Sequence, residues 1–163
     1  MKKGSKIELP EKKHTFIDLD DLGDFIIQRR DKLFAYQLAV VLDDAEQGIN
    51  QVVRGYDILE STPRQLQLIQ HLDLPQPQYA HIPVITKPDG QKLSKQNRAP
   101  AIHNQLASHN LQQALEALNH PLPKVLHNAP VDEIIKWAIQ SWSMDRLPKG
   151  LTIQGGWHTG SEL

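Results

Sequence analysis

The ten-residue run Leu33–Leu42 constrains this chain most, because it is apolar at nearly every position. Tyr36 and Gln37 are its polar interruptions. Continuous apolar character over this length is typical of a strand buried on both faces, as in a parallel α/β sheet. A buried helix of the same length is the alternative, and the adjacent Val40 and Val41 favour the strand. We therefore predict a buried strand here and, with it, an α/β fold.

The segments after this run predict a strand, a helix and a further strand. Ile49–Arg54 is short and contains two adjacent valines, as expected of a strand. A helix begins next, because Thr62 can cap its first turn, Pro63 suits the first helical position and Gln65 completes a capping box. Tyr79–Ile85 predicts the further strand, and the proline within it places that strand at a sheet edge or near its own end.

Acidic residues, prolines and glycines mark the predicted turns. Asp24–Asp31 precedes the apolar run and predicts a strand or a turn. Asp43–Gly48 has acidic residues at its start and a glycine at its end, which predicts a short helical turn. Lys87–Gly90 combines a proline with a glycine and predicts a tight turn directly before a lysine-bearing loop.

Apolar residues change to a helical spacing after Pro100. Those between Ile102 and Leu118 predict two helices broken near residues 108–110. Val131–Trp142 carries its apolar side chains on one helical face and predicts the most amphipathic helix of the chain, with a proline at its start. We therefore predict three parts: a flexible N-terminal arm at 1–15, a core at 16–99 and a helical domain with a loose tail at 100–163.

Composition excludes several classes of function. Lys and Arg number 18 and Asp and Glu 19, so a general basic surface is absent and nucleic acid would have to bind a local patch. The absence of cysteine excludes disulfides, thiolate zinc sites and cysteine nucleophiles. We find neither a signal-peptide pattern nor a run of membrane-spanning length. The expectation is a soluble cytoplasmic protein with no membrane partner.

The segment Lys92–Lys95 is the first candidate for chemistry. Two lysines and a serine follow the predicted tight turn. Such a loop can present ammonium groups to phosphate oxygens, where developing negative charge needs compensation. A solvated surface loop is the alternative, because lysines are common on protein surfaces.

Arg54 and Tyr36 are the other candidates. Arg54 ends a predicted strand and is followed by a glycine, which suits the close approach of a carboxylate or phosphate. The alternative for Arg54 is a structural ion pair. Tyr36 could point its hydroxyl from the apolar run into a pocket, and the alternative is a core tyrosine whose hydroxyl is satisfied.

These motifs together resemble the glutamyl-Q tRNA(Asp) synthetase family, short paralogues of glutamyl-tRNA synthetase among the class I aminoacyl-tRNA synthetases. Lys92–Gln96 resembles this family's version of the class I KMSKS loop. The resemblance extends roughly from Phe16 to Trp142. It is carried by five blocks in the family's order and spacing: Phe34–Val41, Asp43–Ile49, Val52–Gly55, Ser61–Gln65 and Lys92–Asn97.

The resemblance implies a fold and a reaction. Residues 16–99 would form the C-terminal half of a Rossmann-like class I catalytic core, and residues 100–163 a small helical domain. The family activates L-glutamate with ATP, with Mg²⁺ expected, and transfers the glutamate to queuosine in the anticodon loop of tRNA(Asp). The implied partners are therefore L-glutamate, ATP and tRNA(Asp).

The resemblance also implies site residues. Tyr36 and Arg54 would contact glutamate, Arg54 by pairing with a carboxylate. Lys95 would be catalytic, because it would contact the ATP phosphates and stabilise the transition state of activation. No residue is assigned to a metal. The mobile ATP-binding loop would consist of Lys92, Leu93, Ser94, Lys95 and Gln96.

Two departures from the family pattern affect the predicted activity. The HIGH-type motif and the cysteine-rich zinc segment of the family do not occur in this sequence. The chain therefore resembles the C-terminal half only, whose sheet would keep an open edge, and we expect it to be inactive or poorly active alone. Whether it is an enzyme stays open. The alternatives are a non-catalytic remnant that binds glutamate or tRNA, and a subunit completed by a separate N-terminal half or by self-association.

Overall fold

The computed structural model describes residues 23–94, 99 and 101–155, and the backbone of residues 6–8 and 16–18. The chain divides into two compact units, Met1–His81 and Ile82–Leu163. No helix in the described part of the chain is both long and apolar enough to cross a membrane.

The described residues of the first unit form two pairs of strands and two α-helices. Its first two strands pair antiparallel, and its last two pair with each other. A 3-10 helix, Tyr56–Ser61, leads into the second α-helix. In chain order, the elements are β1 (Lys6–Glu8), β2 (Phe16–Asp18), α1 (Tyr36–Glu46), β3 (Gln51–Gly55), α2 (Thr62–His71) and β4 (Gln78–Ile82).

The strand predicted at Leu33–Leu42 is wrong, because most of this run lies in helix α1. Val41 is buried in the core, whereas Tyr36 and Leu42 are exposed, so the helix buries one face only. The β-propensity of two adjacent valines is weak, and packing of one helical face overrides it. The helical turn predicted at Asp43–Gly48 is the last turn of α1, which a glycine with positive φ terminates.

Strands β3 and β4 form a strand–helix–strand unit with α2. Side-chain hydrogen bonds join Gln51 to Gln78 and Arg54 to His81, and both pairs are 27 residues apart. A constant sequence offset means that the two strands run in the same direction, so α2 is their crossover helix. The core of the unit is a buried cluster of Val41, Leu66, Ile69 and Tyr79.

The predicted boundaries around these strands are partly right. The strand predicted at Ile49–Arg54 is confirmed as β3, and α2 begins at Thr62 as predicted. The capping box is wrong, because the N-cap is Ser61 and no side chain caps this helix. The strand predicted at Tyr79–Ile85 is divided at Pro83 into β4 and β5 (Val84–Thr86).

In the second unit, the part of the chain that the structure describes forms a parallel strand pair and two further α-helices. Strand β5 pairs parallel with β6 (Thr152–Gln154). Helix α3 spans Ala107–Ala117 after a short 3-10 helix, and α4 spans Val131–Ser141. Helix α4 confirms the prediction of an amphipathic helix after a proline. Its Ile134 is 0% exposed within a cluster that also holds Leu115, Leu122 and Ala129.

The predicted break near residues 108–110 is wrong, because α3 runs through these residues without interruption. The polar side chain of Asn110 donates to the carbonyl oxygen of His103 at 3.0 Å. The amide group therefore bonds to the chain before the helix and does not compete with the hydrogen bonds of its own turn. The irregular segment lies earlier, at the 3-10 helix Asn104–Leu106.

His120 joins the end of α3 to the end of α4. Its ring is 1% exposed and stacks on Trp142 with ring centroids 4.5 Å apart and an angle of 10° between planes. Nε2 accepts a hydrogen bond from the backbone N–H of Ser143 at 3.0 Å, and Nδ1 lies 2.7 Å from the carbonyl oxygen of Leu118. The first contact requires an unprotonated Nε2, so Nδ1 carries the proton and donates to Leu118.

Candidate functional site

Arg54 is the centre of the most extensive side-chain network in the described residues. It lies near the end of β3, where its side chain points towards α2. Three of its N–H groups donate hydrogen bonds: Nε to Nε2 of His81 at 2.9 Å, and the two terminal nitrogens to Gln65 Oε1 and Thr62 Oγ1, each at 2.6 Å. One N–H group remains on each terminal nitrogen, which is what a bidentate carboxylate accepts.

The partners of Arg54 hold its guanidinium group without neutralising it. Each of the three hydrogen bonds ends on an uncharged side chain. The ring of Tyr79 lies beneath the guanidinium carbon, with 4.8 Å from that carbon to the ring centroid. Thr62 and Gln65 are each only 1% exposed. Among the described residues, Arg54 therefore does not form the structural ion pair that was the alternative for it. Its positive charge is available there to an anion.

Gln65 connects Arg54 to helix α1. Its amide nitrogen donates to Oε1 of Gln37 at 2.9 Å, and the amide nitrogen of Gln37 donates to Oγ of Ser61 at 3.0 Å. The arginine on β3 is thus linked through a chain of side chains to α2, to α1 and to the 3-10 helix that precedes α2. These links fix the position of a charged group relative to three elements of the first unit.

Tyr36 and Arg54 both act on the hydroxyl group of Tyr79. Burial raises the pKa of Tyr79 above its ordinary value of 10.0, and the positive charge of Arg54 partly offsets that increase. Asp44 and Tyr36 raise the pKa further by smaller amounts. Tyr36 is the first residue of α1 and is 53% exposed. The alternative given for it from the sequence, a buried core tyrosine, is therefore wrong.

The lysine-bearing loop begins in the second unit, directly after a tight turn. The turn is confirmed, since the N–H of Gly90 donates to the carbonyl oxygen of Lys87 at 2.9 Å and Gly90 has φ 82°. The chain then returns alongside β5, where Lys92 forms an antiparallel bridge with Thr86 and the N–H of Leu93 donates to Ile85 at 2.9 Å. The turn therefore fixes where the loop leaves the strand.

The described residues cover only the first part of this loop. Lys92 is exposed, and Leu93 and Ser94 are half-buried. Lys95 and Gln96, the catalytic and ATP-binding residues predicted from the family resemblance, lie outside the described residues. Within the described ranges, no three or more His, Asp or Glu side chains come together to hold a metal ion, and we assign no magnesium ligand.

Sequence reasoning missed the side chains that hold Arg54. Thr62 and Gln65 were assigned to a capping box, because the residue types that cap helices also form buried hydrogen bonds. His81 lies 27 residues from Arg54, and no local pattern in the sequence connects the two. Gln37, a polar residue within an apolar run, was the available signal for this network. A buried amide requires hydrogen-bond partners, so its presence indicates other polar side chains nearby.

The strand–helix–strand unit places this chain in the mixed α/β class, and a family model gives the family. The model for tRNA synthetases class I (E and Q), catalytic domain, matches residues 5–118. The chain therefore belongs to the class I tRNA synthetases of the glutamate and glutamine group. The predicted family resemblance and the partial class I α/β core are thereby confirmed.

Two curated relatives agree with this family. The chain is 45% identical over 154 residues to a glutamyl-Q tRNA(Asp) synthetase of Pseudomonas syringae, covering 88% of this chain and 52% of that protein. It is 46% identical over 158 residues to the protein of the same description from Ectopseudomonas mendocina, covering 91% and 54%. The chain thus spans about half the length of these curated relatives.

The solved structure supports the fold. A glutamate-tRNA synthetase from Elizabethkingia anophelis matches 87% of this chain and 32% of its own chain with a TM-score of 0.61. The sequence identity of this pair is 20%, so the similarity concerns the fold alone.

Proposed function

We propose that this chain supplies part of a glutamyl-Q tRNA(Asp) synthetase and that its first unit binds the glutamate. The similarity to the two Pseudomonas-group relatives supports the reaction: activation of L-glutamate with ATP and transfer to queuosine of tRNA(Asp). In this proposal, residues 16–99 belong to the catalytic core, residues 100–163 form the helical domain, residues 1–15 form an arm, and the protein acts in the cytoplasm.

The observation that carries this proposal is the guanidinium group of Arg54, whose partners among the described residues are all uncharged. Three neutral acceptors hold it in one orientation, and an N–H group remains on each terminal nitrogen. A carboxylate can accept from two such groups at once, which gives both attraction and a fixed geometry. Tyr36 is exposed close to the same cluster, and we propose that its hydroxyl forms a second contact with the bound amino acid.

For the lysine-bearing loop we propose a role in binding ATP. Lys92, Ser94 and Lys95 would face the phosphates, and Lys95 would stabilise the negative charge that develops as glutamate attacks. Mg²⁺ bound together with ATP would supply further positive charge at the phosphates, and we assign no described residue as its ligand. The remaining loop residues, Leu93 and Gln96, would set the position of the two lysines.

Catalysis is proposed to need groups beyond those of these 163 residues. The chain matches about half of the curated relatives, and class I activation requires groups that surround ATP from both sides. We propose that the N-terminal half of the family's length, in the same chain or in a separate one, completes the site, and self-association is the competing route. Gel filtration of the chain alone, and of the chain mixed with the N-terminal half of the Pseudomonas syringae relative, distinguishes a complex of the two from a homodimer.

The test of the proposed function is glutamate-dependent exchange of pyrophosphate into ATP. We expect little exchange with this chain alone and clear exchange after the N-terminal half of the relative is added. Glutamate binding without exchange in the mixture would instead identify a non-catalytic binding protein. Failure of both binding and exchange would reject the proposed function. Gel-shift with tRNA(Asp), repeated at increasing salt, reports whether phosphate contacts contribute to tRNA binding.

Replacing Lys95 with alanine is expected to lower the exchange rate of the reconstituted enzyme about 100-fold or more, because a charged group that faces the transition state is removed. Glutamate binding to the chain should change little. The matched control is Lys136→Ala, which removes a lysine whose side chain is 73% exposed on α4. Equal exchange rates for the Lys95 variant and the wild type would show that this lysine has no role in activation.

A further inference from the structure

The hydrogen bonds around Arg54 have a fixed direction. A guanidinium group can only donate, so Gln65 must present its amide oxygen to Arg54. Its amide nitrogen therefore points to Gln37, which must in turn present an oxygen. The amide nitrogen of Gln37 then donates to the hydroxyl group of Ser61. One charged donor thus determines the orientation of two amides and a hydroxyl group.

Gln65 is the least exposed side chain in this series of hydrogen bonds. It is 1% exposed and bonds to side chains on both sides, at 2.6 Å to Arg54 and at 2.9 Å to Gln37. A carboxylate at the same position would accept the same hydrogen bond and would also neutralise the arginine. The chain instead uses an uncharged amide of nearly the same shape, which orients the arginine and leaves its charge available.

We propose that Gln65 is a positioning residue for Arg54, and that its lack of charge makes the site prefer a carboxylate to an amide. This inference rests on the proposed function, and it takes the carboxylate at Arg54 to be that of the glutamate side chain, because glutamine carries the same α-carboxylate. The chemistry that it predicts is a preference for L-glutamate over L-glutamine, whose side chain carries no negative charge. Thr62 and His81 complete the neutral set of acceptors.

The sharpest variant is Gln65→Glu, because it changes the charge and leaves every hydrogen bond possible. If Gln37 turns its amide over, its nitrogen donates to the new carboxylate and its oxygen accepts from the hydroxyl of Ser61. The variant is therefore expected to fold. Its carboxylate would pair with Arg54, so the affinity of the 163-residue chain for L-glutamate should fall about tenfold or more.

Two further variants separate position from charge. Gln65→Met keeps the length of the side chain but offers Arg54 no oxygen, so the guanidinium group should become mobile. Gln37→Leu removes the hydrogen-bond partner of the Gln65 amide nitrogen and leaves Gln65 in place, so its effect on Arg54 should be smaller. The matched control is Gln70→Glu, which makes the same charge change at an exposed position of α2 and should behave as wild type.

The experiment measures two quantities on each protein. The first is the affinity for L-glutamate and for L-glutamine, by titration followed in nitrogen–proton NMR spectra, which also verify folding. The second is the mobility of Arg54 in the absence of ligand, from the relaxation of its Nε–Hε signal. We expect an immobile Arg54 in the wild type and in Gln65→Glu, and a mobile one in Gln65→Met. We expect the preference for glutamate to disappear in Gln65→Glu.

The outcomes distinguish this inference from the proposed function. Unchanged glutamate affinity and preference in Gln65→Glu, with glutamate bound by the wild type, would overturn the role of the neutral charge. Equal mobility of Arg54 in the wild type and in Gln65→Met would overturn the positioning role. A wild-type chain that binds no glutamate would reject the proposed function and the preference with it, while the mobility of Arg54 would still decide whether Gln65 positions it.

Discussion

Replacing Arg54 with alanine is expected to weaken the binding of L-glutamate by about 2–5 kcal/mol, which is at least about 30-fold in the dissociation constant. The variant removes the positive charge that three neutral side chains hold in place. A carboxylate then loses both its attraction and its bidentate hydrogen bonds. The measurement is titration of the 163-residue chain with L-glutamate, by calorimetry or by NMR.

Two control variants make this result specific. Arg29→Ala removes an arginine of equal charge from an exposed ion pair with Asp31 and should leave glutamate binding unchanged. Arg54→Lys keeps the positive charge but cannot form the same fork of hydrogen bonds, so its affinity should lie between the wild type and Arg54→Ala. Because Arg54→Ala leaves Thr62 and Gln65 buried without their donor, its folding must be verified by thermal unfolding. Wild-type glutamate affinity in a folded Arg54→Ala would reject this contact.

Replacing Ile134 with alanine is expected to lower the free energy of unfolding by about 2–5 kcal/mol, which is the largest stability effect that we predict. Ile134 is 0% exposed and packs in the cluster of the second unit with Leu115, Leu122 and Ala129. Removing three carbon atoms leaves a cavity that the two helices can only partly fill. Urea denaturation, followed by circular dichroism, measures the change.

The neighbouring residue of α4 provides the control. Ile135 is 43% exposed and lies about 100° further around the helix than Ile134, so Ile135→Ala should change the free energy of unfolding by about 1 kcal/mol or less. The two variants remove the same atoms from adjacent positions and differ only in burial. Similar losses of stability in both would show that the face of α4 with Ile134 is not the buried one.

The sequence predicted the elements whose signals were local. Helix α4 has its apolar residues on one face, α2 begins at a threonine and proline, and the turn before Lys92 contains a proline and a glycine. Helix α1 was mistaken for a strand, because a continuous apolar run is compatible with both structures. Only the packing of Val41, with Leu42 left exposed, distinguishes them.

The site was predictable only in part, and the reason is distance along the chain. Arg54 was identified by its place at the end of a strand and by family resemblance. Its acceptors lie 8, 11 and 27 residues further on, at Thr62, Gln65 and His81. Their convergence depends on the register of two strands and on the crossover between them. Neither follows from residue types alone, since register is set by tertiary packing.

The contacts of the His120 ring restrict which residues position 120 can accept. One flat side chain accepts a hydrogen bond from the backbone of Ser143, donates one to the carbonyl oxygen of Leu118 and stacks on the indole of Trp142. Asparagine offers a donor and an acceptor but no aromatic face, and phenylalanine offers the face but neither polar atom. Among the standard amino acids, none is therefore a conservative replacement at position 120. We expect substitutions there to be poorly tolerated, although the residue lies far from Arg54 in the sequence.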